Sequence, residues 1–191
     1  WDPDRGAPPA EPTAFKVAYD EDAIYFAIAC TESDPSKISA KLSRRDRFSS
    51  SDIVAVYIDP YHDHTTGYSF KVNPLGVQQD VYVYNDGEMD TDWDAVWQAE
   101  TSRDANGWYA EIRIPFSAIR YRSAPEMTWG INVWRYMHGR GQDTAWKTWS
   151  RDLSGLVSRF GNVTGIRGIH APRQLEFLPY VLQRETDPSL A

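Results

Sequence analysis

Apolar and polar residues alternate most regularly over residues 51–86, where three strand-like runs follow one another. In the first run Val54, Val56 and Ile58 share one face, and the run stops at Pro60, because proline has no N–H to donate to a strand ladder. The two later runs alternate in the same way and end at turn signals rich in Asn, Pro, Asp and Gly. This series predicts a β-meander of antiparallel strands with one buried face.

Further strands are predicted on both sides of the meander. The clearest of them cover residues 15–19, 24–31, 96–102, 108–114 and 128–137. Weaker strand candidates cover 38–42, 145–150 and 157–163, and one short helical turn is predicted at 116–121. Strands at this spacing, with turns between them and almost no helix, predict an all-β fold: an antiparallel β-sandwich of jelly-roll-like type.

The chain is long enough for one main domain with a hydrophobic core. We assign residues 1–170 to the sandwich. Residues 173–180 alternate again, so 171–191 are interpreted as a linker and the start of a following β-domain.

Composition excludes several functions. The net charge of -7 argues against a nucleic-acid partner, since phosphate binding needs a basic surface. No apolar run is long enough for a transmembrane helix. The single cysteine, Cys30, lies on the apolar face of its strand, which indicates packing and rules out an intrachain disulfide.

An acidic loop raises the question of calcium. Asp90, Asp92 and Asp94 have the alternate spacing that calcium loops use, but the EF-hand glycine and glutamate positions hold Ala95 and Thr101. A solvated acidic turn is the favoured interpretation of this loop. No cofactor is predicted, and calcium is left open.

Two other groups of metal-ligand residue types lie near the meander. Asp59, Asp63 and Asp80 could form an oxygen-rich pocket, and His62 and His64 have a spacing that binds metal on a strand. The histidines follow Pro60 in a predicted turn, which favours exposed loop side chains.

Catalytic chemistry is not visible in the sequence. Asp52, Asp80 and Glu111 are carboxylates on predicted strands, but nothing brings any two of them together as glycoside hydrolysis requires. No nucleophile elbow, zinc-protease motif or phosphate loop occurs. The domain is therefore predicted not to be an enzyme.

Aromatic residues give the clearest candidate site. Trp134 lies opposite the apolar face of its strand, and Trp146 and Trp149 stand among polar residues, with Arg135 as a candidate hydrogen-bonding partner. Indole rings stack on the apolar faces of sugars while such polar groups hold hydroxyls. The alternative is that these tryptophans pack under loops or between sheets.

The order of motifs along residues 13–170 resembles the carbohydrate-binding family 9-like domain, of the type that precedes a predicted outer-membrane β-barrel in Gram-negative bacterial proteins. The motifs that carry the resemblance are Tyr19-Asp20-Glu21-Asp22, Arg44-Arg45-Asp46, Asp52-Ile53-Val54-Ala55-Val56-Tyr57-Ile58-Asp59, Asn73-Pro74, Asp80, Trp93-Asp94-Ala95-Val96-Trp97, Gly107-Trp108 and Trp129-Gly130-Ile131-Asn132.

The resemblance implies a β-sandwich that binds carbohydrate without catalysis. It also implies a cell-envelope or secreted location, a role in carbohydrate catabolism and an attached β-barrel domain. The family's usual first segment is missing from this sequence. Its founding members clamp sugars with tryptophans and hold calcium. The alternative function is a structural periplasmic or plug-like domain of the barrel protein that binds no sugar.

Overall fold

The computed structural model describes residues 8–47, 50–148 and 153–170. This part of the chain contains β-strands and four single-turn 3-10 helices. The strands are β1 (Thr13–Tyr19), β2 (Ala23–Thr31), β3 (Ile53–Asp59), β4 (Gly67–Val72), β5 (Gln78–Tyr84), β6 (Glu88–Asp90), β7 (Gln98–Asp104), β8 (Gly107–Pro115), β9 (Met127–Met137), β10 (Gln142–Ala145) and β11 (Gly161–Ile166).

Two antiparallel sheets form the sandwich. The four-stranded sheet has the order β1-β2-β8-β7, and the seven-stranded sheet has the order β10-β9-β3-β4-β5-β6, with β11 also pairing β9. The predicted meander is β3-β4-β5, and β9 is hydrogen-bonded to its free side. The prediction of an all-β antiparallel sandwich is confirmed.

The core lies between the sheets and is built by the apolar faces that alternation predicts. Val54, Val56 and Ile58 of β3 are fully buried, as are Trp108 of β8 and Trp129 of β9. Trp97 is buried with them, so three tryptophans among the described residues are core residues that bury large apolar areas.

Several local predictions differ from the structure. Residues 38–42 form no strand, and the helical turn is shorter, at Phe116–Ala118. Strand β6 lies in the stretch predicted as an acidic loop, and β10 shares only Ala145 with the weak strand candidate at 145–150. Both are short edge strands whose pairing is set by a neighbouring strand, which local alternation cannot reveal.

Residues 171–191, predicted to begin a following β-domain, lie outside the described residues, so that prediction stays open. Among the residues that are described, none belongs to a helix of the length and apolarity needed to span a bilayer.

Gly107 is required where β8 begins beside the end of β2. Its φ is +145°, and a Cβ there would lie 2.1 Å from the carbonyl oxygen of Cys30. No side chain fits this contact without moving backbone. Gly87, in the turn before β6, has no atom within 4 Å of the position a Cβ would take.

We therefore expect Gly107→Ala to lower the free energy of unfolding by about 2–4 kcal/mol, because the added methyl group separates β8 from β2. The matched control Gly87→Ala should change it by about 0.5 kcal/mol or less. Urea denaturation of both variants checks this. Equal losses in the two variants would contradict the close approach at Cys30.

Candidate functional site

Trp134 lies on the face of the seven-stranded sheet that points away from the core. Its neighbours in β9, Val133 and Arg135, point between the sheets and are buried, whereas Trp134 is half-buried. Tyr136 follows two residues later on the same face, and the two rings stack at 6.4 Å between centroids and 21° between planes. The alternation of β9 therefore builds a flat aromatic strip on the outer face.

A groove of about 740 Å³ runs beside Trp134. Its floor comes from strands β3, β4, β5 and β9, and one wall comes from residues 43–47, called the groove loop below. The lining residues are Ser43, Arg44, Asp46, Arg47, Ile53, Lys71, Gln79 and Trp134.

Strand register places the floor residues in one row. Trp134 pairs Ala55, Ala55 pairs Lys71, and Lys71 pairs Gln79 across four neighbouring strands. The Lys71 ammonium donates to Gln79 Oε1 at 3.2 Å, and the Gln79 amide donates to the Asp46 carbonyl at 3.1 Å. A hydrogen-bonded chain thus joins the floor to the groove loop.

Arg45 anchors the groove loop. Its guanidinium donates to the carboxylate of Asp80 at 2.6 Å, to the Ala95 carbonyl at 2.8 Å and to Gln78 Oε1 at 2.7 Å. Asp80 is fully buried and also accepts from Trp97 Nε1 at 3.3 Å. Burial raises the pKa of Asp80, whereas the bonds from Trp97 and the Ala95 N–H and the charge of Arg45 lower it.

Residues 153–160, called the cover segment, close the other end of the outer face. Phe160 packs on Tyr57 with 5.7 Å between ring centroids, and Val157 is fully buried. The Asp86 carboxylate accepts from the N–H groups of Leu156 and Ser158 at 3.0 and 2.8 Å. The open part of the face is therefore the part that carries Trp134.

The other predicted aromatic residues do not join Trp134. Trp146 follows Ala145, which faces outward beside Trp134, so Trp146 points to the opposite side of the sheet. It packs edge-on against Phe15 of β1 at 5.5 Å, with the Lys147 ammonium 4.8 Å from its ring. Trp149 lies outside the described residues.

Arg135 does not face the groove, which corrects its predicted role as a ligand partner. Its side chain is fully buried between the sheets, 3.7 Å from the Glu32 carboxylate. One guanidinium nitrogen donates to the carbonyls of Pro12 and Thr31. Arg135 lies between Trp134 and Tyr136, which both point outward, so the two-residue period of the strand points Arg135 inward. There its hydrogen bonds connect the two sheets.

The candidate metal residues are used separately. Asp94 pairs with Arg45 at 3.4 Å, and Asp59 accepts from the His64 N–H at 3.0 Å. His62 Nε2 lies 3.2 Å from Asn162 Oδ1. Over residues 8–47, 50–148 and 153–170, no three His, Cys, Asp or Glu side chains converge as metal ligands. Each of these candidate side chains is therefore engaged in a separate local contact.

The candidate catalytic carboxylates are also dispersed. Asp52 accepts from the His138 N–H at 2.9 Å, and Asp80 belongs to the Arg45 contact. Glu111 is exposed on the four-stranded sheet, where it lies beside Ala27.

Sequence reasoning missed Tyr136, Lys71 and Gln79 as site residues. Alternation within β4 puts Lys71 on the polar face of its strand, but only the pairing of β3 with β4 on one side and with β9 on the other brings Lys71 into one row with Trp134. The sequence does not show that Lys71 and Gln79 lie on the same side of the sheet as Trp134, because that depends on the strand order.

The protein is thus a β-sandwich with a half-buried aromatic strip beside a groove on one outer face. The chain belongs to the family described as carbohydrate family 9 binding domain-like, whose model matches residues 6–164. No curated protein matches the sequence significantly.

Solved structures share the fold at low identity. A family 9 carbohydrate-binding module from Caldicellulosiruptor kristjanssonii, in complex with cellotriose, is 16% identical with a TM-score of 0.60, covering 91% of this chain and 84% of that one. A family 9 module from the same organism in complex with glucose is 16% identical with a TM-score of 0.56, and it covers 91% of this chain and 84% of that one. A carbohydrate-binding candidate from Bacteroides uniformis is 16% identical with a TM-score of 0.65, and it covers 81% of this chain and 78% of that one.

We expect Arg45→Met to lower the free energy of unfolding by about 1–3 kcal/mol at neutral pH, because it leaves the buried Asp80 carboxylate without its cation. The Arg45 side chain is 37% exposed, so solvent screening keeps the loss below that of a fully buried pair. Arg44→Met, which removes a neighbouring cation with no ion pair to a described residue, should cost about 0.5 kcal/mol or less.

The stability lost in Arg45→Met should be smaller at acidic pH. The Asp80 pKa is already raised in the folded state and rises further without Arg45. As pH rises through the pKa of Asp80 in the folded variant, ionisation of this carboxyl lowers the free energy of unfolding. Below that pKa the carboxyl is protonated, and the destabilisation is removed. Denaturation at acidic and neutral pH measures the difference, and a loss independent of pH would contradict the role of Asp80.

Proposed function

We propose that this domain is a non-catalytic carbohydrate-binding module that holds a glycan in the groove of the seven-stranded sheet. The observation that carries the proposal is the half-buried Trp134 ring, stacked beside Tyr136 and bordered by polar side chains on the groove floor. Aromatic faces next to hydrogen-bond donors are the usual means of sugar recognition.

The row across the sheet suggests how a sugar is oriented. A pyranose ring stacks on Trp134. Ala55, the next residue in the row, is fully buried, so the ligand rests on the Trp134 ring and on the side chains that line the groove. Lys71 and Gln79 lie further along the row and supply donors to hydroxyl groups. Arg44 of the groove loop faces the same space.

The family supports carbohydrate as the ligand class, and the structural neighbours suggest the first probes. The similar modules from Caldicellulosiruptor kristjanssonii were solved with cellotriose and with glucose. At 16% identity these ligands indicate which sugars to test first rather than which sugar binds.

We also propose an exported location, in the cell envelope or secreted, for the protein that carries this domain. The support is the ordered set of motifs that resembles family members preceding an outer-membrane β-barrel of Gram-negative bacteria. Fractionation of the producing cells tests it, and recovery in the cytoplasmic fraction would contradict it.

We expect Trp134→Ala to weaken glycan binding about ten-fold or more, because it removes the stacking surface. Trp146→Ala is the matched control and should leave affinity within about two-fold, since Trp146 packs on Phe15 away from the groove. Titration with cellotriose and a panel of plant and bacterial oligosaccharides, followed by calorimetry, measures both.

If Trp146→Ala lost binding and Trp134→Ala kept it, the groove would not be the glycan site, and the site would instead lie at the sheet edge where Trp146 packs on Phe15. Absence of binding across the panel would favour the structural alternative.

A further inference from the structure

The groove is positively charged although the whole chain is not. The net charge is -7, yet the groove is lined by three cations, Arg44, Arg47 and Lys71. Its one acidic lining residue, Asp46, offsets one of the three, so the lining residues carry two more positive than negative charges. The local excess of positive charge therefore runs against the charge of the molecule.

Lys71 is the most informative of the three cations. It is half-buried in the middle of the sheet, and its only hydrogen-bond partner among the described residues is the neutral Gln79 Oε1. Burial lowers the pKa of Lys71, with no acidic group to oppose the shift. An ammonium held there without a counter-charge costs free energy that an anionic ligand would recover.

The arginines add to this field. Among the described residues, neither Arg44 nor Arg47 forms an ion pair, whereas Arg45 between them is neutralised by Asp80. The Arg45 anchor fixes the groove loop, so it holds its two neighbours at the groove wall. Guanidinium groups bind carboxylate and sulfate oxygens in paired geometry.

We infer that the glycan bound in this groove is anionic, with a carboxylate or sulfate substituent placed between Lys71 and the groove loop. This inference rests on the proposed function. Trp134 and Lys71 are two strands apart in one row, about 10 Å, which is the length of about two sugar rings. A sugar stacked on Trp134 thus brings a substituent on its neighbour to Lys71.

The test compares ligands that share a backbone and differ in charge, using the 191-residue chain. Oligogalacturonate and its methyl ester form the carboxylate arm, and dextran sulfate and dextran form the sulfate arm. Cellotriose is the neutral reference. We expect an acidic ligand to bind at least about ten-fold more tightly than its neutral partner, against the negative charge of the whole molecule. The preference should fall as salt is raised.

Variants assign the preference to the groove. Lys71→Gln should reduce the ratio of acidic to neutral affinity at least about five-fold. Lys16→Gln changes net charge equally but lies on β1 of the four-stranded sheet, so the ratio should stay the same. The arm that responds to Lys71→Gln identifies the carboxylate or the sulfate as the recognised group.

Binding of cellotriose through Trp134 with no preference for either acidic ligand would overturn this inference and leave the proposed function standing. An equal drop in the ratio for Lys16→Gln and Lys71→Gln would overturn it as well, because the preference would then come from overall charge. Failure of every glycan to bind would overturn the proposed function and the inference together.

Discussion

The contact between Arg45 and Asp80 determines the shape of the groove. Asp80 is a fully buried carboxylate on β5, so it requires hydrogen-bond donors and a cation, and Arg45 supplies the cation from a loop about 35 residues earlier in the sequence. The same carboxylate accepts from Trp97, and Arg45 also reaches the Ala95 carbonyl. One buried charge thus holds two loops on the sheet and fixes the wall beside Trp134.

The second constraint is the two-residue period of β9. It sends Trp134 and Tyr136 outward as an aromatic strip and Arg135 inward as a link between sheets. Adjacent residues in a strand therefore serve different purposes. A candidate site chosen from neighbouring sequence positions combines a surface residue with a core residue.

Much of the fold could be predicted from the sequence because alternation and turn residues are local signals. The β3-β4-β5 meander and the buried faces of β2 and β8 follow from them. The site depends on strand order, which joins Trp134, Lys71 and Gln79 from three separate strands, and on which edge Trp146 packs against. Those are long-range pairings that no local pattern encodes, so the sequence suggests Trp134 as a candidate but not the residues that lie beside it.

The central claim is that glycan binds on the outer face of the seven-stranded sheet at Trp134. The most direct measurement is a nuclear magnetic resonance titration, in which an oligosaccharide from the same panel is added to ¹⁵N-labelled protein. The assigned signals of the tryptophan indoles and the backbone amides are followed. We expect shifts at the Trp134 indole and at the amides of Ala55, Lys71 and Gln79, with the Trp146 signals unchanged. Shifts confined to Trp146 and Phe15, or to the four-stranded sheet, would contradict it.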